Sequence, residues 1–126
     1  MKSKYKNAFH KTRFTEFIAE NVKYPYKSSY EYIAAVFLLS ADNELWKKSR
    51  SALTSYSADF DKINLSGIST EGYALFKAAK SIYFDKSEIS FNELCDCELI
   101  DEATVLTIFA GIAVFRNGID TLNWRY

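Results

Sequence analysis

An uninterrupted apolar run, residues 32–39, limits what this chain can fold into more than any other stretch. A surface helix is apolar on one side only, whereas a helix that is apolar all round is normally buried on every side. The run is too short to cross a membrane, which takes about 20 apolar residues. Ser28-x-x-Glu31 fits a capping box, in which Ser and Glu side chains bind free N–H groups of the first turn. We therefore predict a central core helix that begins here.

A second apolar run, residues 103–115, follows the acidic pair Asp101 and Glu102. Negative charge favours the start of a helix, so these carboxylates predict where the helix begins. Gly111 would allow close approach to the central helix, and Gly118 would end the element. We predict two buried apolar helices, at about 30–41 and 101–116, that cross at the centre of the fold.

The rest of the chain reads as amphipathic cover for these two helices. The first 27 residues predict one long helix that Pro25 ends, because proline lacks an N–H group and disfavours helix in the preceding residue. The apolar stripe of this predicted helix consists of Tyr5, Phe9, Arg13/Phe14, Phe17, Ile18 and Val22.

Further elements follow from cap signals. Asp42 predicts the start of a third helix, Ser69 or Thr70 that of a fourth, and Ser90-x-x-Glu93 is a second capping box. Residues 54–69 read as an irregular segment pinned by Tyr56, Phe60, Ile63, Leu65 and Ile68. No hairpin signal appears. We predict an all-α fold: a compact single-domain bundle of five to six helices over residues 1–126.

The charges cancel over the whole chain but are unevenly placed. Seven acids and one base lie between residues 85 and 102. Such a run is either a solvated face or an acidic surface that meets a basic partner. We take Glu98, Asp101 and Glu102 as candidate partner-binding residues.

The C-terminal residues Trp124, Arg125 and Tyr126 are a second candidate for partner binding. Their residue types dominate interface hot spots. This tail would either fold back on its own core or dock onto a partner or a second copy. Because aromatic residues make up 17% of the chain, a homodimer through a ring-rich surface is also an expectation.

The groups that catalysis needs are mostly missing from the sequence. One histidine, His10, excludes a site with several histidines, and we expect it to be a surface or half-buried residue. Cys95-x-Cys97 lacks the second pair of a zinc site and the spacing of a redox motif. The sequence predicts no catalytic, cofactor-binding or metal-binding residue and favours a protein that is not an enzyme. The charged N-terminus lacks the apolar core of a signal peptide, so we expect cytoplasmic localisation, reduced thiols and no membrane partner.

Two alternative functions remain open. The first is nucleic-acid binding, which the zero net charge disfavours but which two basic and aromatic clusters suggest. The residues of these clusters are Lys4, Tyr5, Lys6, Lys23, Tyr24, Tyr26 and Lys27. The second is a small enzyme or ligand binder built on the carboxylates of Glu98, Asp101 and Glu102.

Several apolar patterns between residues 8 and 116 carry a family resemblance. They are His10-x-x-Arg13-Phe14, Tyr32-Ile33-Ala34-Ala35 leading to Ser40-Ala41-Asp42-Asn43-Glu44-Leu45-Trp46, and Ala74-Leu75-Phe76-x-x-Ala79-x-x-Ile82-Tyr83 before an acidic turn and a final apolar helix. In these the chain resembles small uncharacterised proteins from Firmicutes and their phages. The resemblance implies a compact helical fold in a bacterial or phage cytoplasm and brings no activity with it. The tail after Arg116 departs from the pattern.

These observations favour a non-catalytic protein-binding module of the inhibitor, immunity or phage and mobile-element accessory type. The missing catalytic groups, the surplus of aromatic residues and the acidic stretch all support that interpretation. Its predicted binding surface is acidic and aromatic, and its predicted partner is a basic protein.

Overall fold

A computed structural model describes residues 4–122 and confirms the predicted all-α fold. In this part of the chain the only β feature is one isolated bridge between Leu53 and Ala58. The α-helices are α1 (Ala8–Asn21), α2 (Tyr30–Leu39), α3 (Asn43–Ser49), α4 (Thr70–Phe84), α5 (Phe91–Cys95) and α6 (Glu102–Asn117). Short 3-10 turns lie at Pro25–Lys27, Arg50–Ala52, Phe60–Lys62 and Ile119–Leu122.

Helix α2 is the predicted central helix, and every residue from Tyr32 to Leu39 is buried. It packs mainly against α4 and α6. Its N-cap is Ser29, whose hydroxyl accepts from the Tyr32 N–H, so the predicted capping box at Ser28 is wrong by one residue. The reason is the proline turn: the Ser28 N–H and hydroxyl both donate to the Tyr24 carbonyl. Ser28 therefore still belongs to the turn.

The C-terminal end of α2 is capped by side chains of α1. The last carbonyls of a helix have no partner within it, and α2 ends where water cannot reach them easily. Arg13 donates from Nε to the Ser40 carbonyl at 2.7 Å and from Nη2 to the Ala41 carbonyl at 3.2 Å. His10 Nε2 lies 2.7 Å from the Phe37 carbonyl oxygen. These contacts fix α1 across the end of the central helix.

Helix α1 differs from its prediction in its length and in which of its residues face the core. It begins at Ala8, where the Asn7 side chain accepts from the His10 N–H, and it ends at Asn21. Tyr5 packs against the core from the segment before the helix, so it is not part of the apolar stripe of α1. Phe9 was expected on the apolar stripe, yet its side chain is 74% exposed, whereas that of His10 is fully buried. Both expectations were wrong.

The segment between α3 and α4 is irregular and anchored, as predicted. Phe60 and Ile63 are buried, and the Tyr32 hydroxyl donates to the Thr54 carbonyl at 2.6 Å. Tyr56 was expected to help hold the segment in place, but its ring is 77% exposed. A hydrogen bond that the start of the segment accepts from α2 thus replaces one of the predicted apolar contacts.

Helix α6 is the main departure from the predicted architecture. It was expected to be buried on all sides, but only the side with Thr104, Ile108, Gly111 and Val114 is covered. On the other side its large apolar residues, Leu106, Phe109, Ile112 and Phe115, are between 37% and 57% exposed. The reason is position: α6 packs on α2 and α4 at the edge of the bundle, and no further helix of the described chain covers its outer side.

The close approach of α6 to α2 predicts a cost for any side chain at Gly111. A Cβ atom there would lie 2.7 Å from Cγ and Cδ2 of Leu38, which is itself fully buried. We expect Gly111→Ala to lower the free energy of unfolding by about 1–3 kcal/mol, because overpacking outweighs the better helix propensity of alanine. Urea unfolding measures this. As the control, Ala113→Gly should cost about 1 kcal/mol through helix propensity.

Candidate functional site

A stripe on α6, exposed except for the half-buried Val105, is the first part of the candidate site. It consists of Glu102, Val105, Phe109, Ile112 and Arg116, whose spacing alternates between three and four residues. On a helix this spacing places side chains along one line, as in the seam of a coiled coil. We call this line, with Leu106 and Ala113 beside it, the outer face of α6.

An apolar pocket adjoins the outer face at Ile112. The pocket has a volume of about 270 Å³. It lies between the C-terminal half of α4, the short α5 and α6. Its lining residues are Ala78, Ser81, Ile82, Ser87, Ile89, Ser90, Phe91, Leu94, Ile108 and Ile112. Phe91, whose side chain is 84% exposed, belongs to this lining. We call the cavity the α5 pocket.

Helix α5 is held in place by the predicted capping box. The Ser90 hydroxyl accepts from the Glu93 N–H, and a Glu93 carboxylate oxygen accepts from the Ser90 N–H. Glu93 also pairs with Lys77 of α4, with 3.3 Å between Nζ and Oε2. The hydrogen bonds from Ser90 and Lys77 keep the pKa of Glu93 below its usual range. A five-residue helix with no buried residue thus gains a fixed position beside α4.

The three predicted acidic binding residues have different roles. Asp101 is the N-cap of α6, and its Oδ1 accepts from the Thr104 N–H at 2.8 Å, so its carboxylate has a structural task. Glu98 and Glu102 are exposed, and neither forms an ion pair within residues 4–122.

The acidic stretch is also partly neutralised by α4. Besides the Glu93 pair, Glu88 lies 3.9 Å from Lys80 Nζ. These lysines come earlier in the chain than the acids, so sequence proximity did not reveal the pairing. Within the described part of the acidic stretch, the exposed acids with neither an ion pair nor an N-capping task are Asp85, Asp96, Glu98 and Glu102, and three of these four follow α5.

The predicted tail residues Trp124, Arg125 and Tyr126 lie outside the described residues. Their assignment to partner binding stays a prediction.

The two basic and aromatic clusters do not come together. The Tyr5 ring packs against Phe14 and Phe37, with centroids 6.0 and 5.7 Å away, so it is not a free stacking surface. Lys4 and Lys6 line a cavity beside α6 instead. The other cluster lies beyond the far end of α1, which is about 20 Å long at 1.5 Å per residue.

The second cluster contains a residue that the sequence interpretation missed. Lys23 Nζ and Lys27 Nζ lie 5.6 and 5.5 Å from the centre of the exposed Tyr24 ring. Tyr56 lines the same shallow cavity, together with Ser28, Ser29 and Ser55. Tyr26 is also exposed. No local sequence signal joins Tyr56 to Tyr24, since the fold alone brings them together.

His10 is buried and hydrogen-bonded through both ring nitrogens. Nδ1 accepts from the Lys6 N–H at 2.9 Å, which leaves Nε2 to donate to the Phe37 carbonyl. Burial lowers the pKa of His10 to about 4, although the bond to Phe37 acts in the opposite direction. A neutral ring with both nitrogens engaged has a structural role.

The described chain offers no assembled metal site. Among residues 4–122, no three His, Cys, Asp or Glu side chains come close enough together to hold a metal ion. Cys95 and Cys97 are exposed free thiols. In the same part of the chain, no helix has the length and hydropathy to cross a membrane.

Comparison with protein-family models, with curated proteins and with solved structures finds no match to this chain. The resemblance drawn from the sequence therefore stays a prediction.

The buried His10 predicts a loss of stability in mild acid. Between pH 6.5 and about 4, the unfolded chain binds a proton at this residue while the folded protein does not. The contribution of His10 to the free energy of unfolding should therefore fall as pH decreases across this window, by about 3 kcal/mol from pH 6.5 to 4. Denaturant unfolding at several pH values measures the slope.

The matched variant for this measurement is His10→Gln, which has no imidazole to titrate. Because His10 is the only histidine, the difference between the two pH profiles isolates its effect from that of the carboxylates. Parallel profiles between pH 6.5 and 4 would show that the native ring accepts a proton as easily as the unfolded chain.

Proposed function

We propose that this chain is a non-catalytic protein-binding module, of the inhibitor, immunity or mobile-element accessory type. The observation that carries the proposal is the uncovered apolar surface formed by the α5 pocket and the adjoining side of α6. Large apolar residues that lie together at a surface mark an interaction site more often than scattered ones do. Phe91 is the most exposed of them among the described residues.

The chemistry around the α5 pocket indicates what kind of partner it takes. The cavity has room for one large apolar side chain, which would act as an anchor. The loop that joins α5 to α6 carries the exposed acids Asp96 and Glu98. A segment with an apolar anchor flanked by Lys or Arg would satisfy both features. This supports an amphipathic basic helix as the partner element, a common mode of recognition in apolar grooves.

A synthetic helical peptide tests this proposal directly. We expect a labelled Leu/Lys amphipathic peptide, about five turns long, to bind the purified protein, and a Leu/Glu peptide of the same pattern to bind far more weakly. Phe91→Ala and Glu98→Lys should each weaken the Leu/Lys complex by about fivefold or more. Fluorescence anisotropy measures the affinities.

The control variants are Phe9→Ala and Glu20→Lys, which make the same chemical changes at exposed positions on α1. They should leave binding unchanged. Equal affinity for the two peptides, or equal loss in the control variants, would contradict a specific acidic and apolar site. Asp101 is kept in every variant, because losing this cap would destabilise α6 itself by about 1 kcal/mol.

A second candidate function, single-stranded nucleic-acid binding, is favoured by the surface that Tyr24 and Tyr56 share. Two lysines beside exposed rings resemble a stacking platform with phosphate contacts. Gel-shift titration with single- and double-stranded probes at low salt tests it. A single-strand complex that weakens steeply with salt and is lost in Lys23→Gln/Lys27→Gln, but not in Lys47→Gln/Lys48→Gln, would support it. No complex at low salt would remove it.

A further inference from the structure

We propose that a second copy of this chain packs on the outer face of α6, with the two α6 helices antiparallel around a two-fold axis at Phe109. The occupant of this face is thus the chain itself. This interface goes beyond the proposed function and does not depend on it.

The first argument is the spacing of the stripe. Apolar residues repeated at intervals of three and four form the seam along which two helices pack side by side. On the described chain the outer face of α6 has no covering helix, although Phe109 and Ile112 are 49% and 45% exposed. A seam of this kind is normally covered by a second helix, and in the proposed dimer that helix is α6 of the other copy.

The second argument is that the ends of the stripe carry opposite charges at equal distances from its centre. Glu102 lies seven residues before Phe109, and Arg116 lies seven residues after it. Each distance is about 10 Å along the helix axis. Within residues 4–122, neither of the two charged side chains forms an ion pair, and both are exposed.

An antiparallel pair centred on Phe109 brings these charges together in two Glu–Arg pairs, one on each side of the axis. Glu102 of each copy lies opposite Arg116 of the other, and Leu106 of each lies opposite Ile112 of the other. The same residue pairs recur on both sides of the axis, as a two-fold interface requires. The antiparallel helix dipoles also attract. Parallel pairing would instead place Glu102 beside Glu102 and Arg116 beside Arg116, so the charges select the antiparallel arrangement.

Sedimentation equilibrium of the full chain, from low micromolar to millimolar concentration, tests the dimer. We expect reversible dimerisation by the unmodified chain. Phe109→Glu places a carboxylate against its own copy at the centre of the seam, so the dissociation constant should rise about 100-fold or more. Glu102→Lys and Arg116→Glu should each raise it about tenfold, because each creates two like-charge contacts per dimer.

The double variant Glu102→Lys/Arg116→Glu separates this arrangement from any other. Its charges are exchanged, so the antiparallel pair is complementary again and dimerisation should return to within about threefold of the unmodified chain. All three positions are exposed, and far-UV circular dichroism verifies the fold of each variant.

Three results would overturn the proposal: a monomer at all concentrations, a dimer that Phe109→Glu does not weaken, or a double variant no better than the single ones. Phe91 and Glu98 are unchanged throughout, and no peptide is present. Failure of the dimer therefore leaves the proposed peptide site standing, and failure of peptide binding leaves the dimer standing.

Discussion

The fold depends on the hydrogen bonds that satisfy the C-terminal end of α2. Burying an apolar helix along its length is favourable, because its side chains are apolar and its backbone is hydrogen-bonded. Burying its C-terminal end is unfavourable, because the last carbonyl oxygens have no partner within the helix. From α1, His10 binds the Phe37 carbonyl in the last turn of α2, and Arg13 binds the Ser40 and Ala41 carbonyls that directly follow the helix. Removing Arg13 would take away the hydrogen bonds to the Ser40 and Ala41 carbonyls, and an unpaired buried polar group costs about 1–3 kcal/mol. The Phe37 carbonyl also accepts from the Ser40 hydroxyl at 3.0 Å. The position of α1 follows from this requirement as much as from its apolar stripe.

Local patterns predicted most of the helix boundaries because caps act over three or four residues. Asp42, Ser69 and Ser90 accept hydrogen bonds from the first-turn N–H groups, as the cap signals predicted. Asp101, which marked a helix start only by its charge, is also an N-cap. The prediction for His10 was wrong because its burial depends on the Phe37 carbonyl, a contact across 27 residues. The residue type histidine predicts only the environment that histidines have on average. Whether a particular histidine is buried depends on the polar groups that the fold places beside it.

The candidate site was predicted only in part, for a similar reason. Composition located the acidic stretch but not the lysines of α4 that neutralise part of it. Hydropathy marked residues 103–115 as apolar without telling whether one or both sides of the helix would be covered. That depends on how many helices surround it, which is a property of the whole bundle. The exposure of Phe109 and Ile112 was therefore not visible in the sequence, although Phe109 is the centre of the proposed dimer and Ile112 lines the α5 pocket.

The glycine contact with Leu38 also determines how α6 can respond to an occupant. Because even a methyl group at Gly111 would collide with the buried Leu38, a rotation of α6 that turned a larger side chain towards α2 would meet close-packed atoms. A backbone held by such packing changes little on association, which leaves the entropic cost mainly to the exposed side chains and to the binding partner. Such a platform discriminates by shape, and improvements in fit should prolong the lifetime of the complex more than they speed its formation.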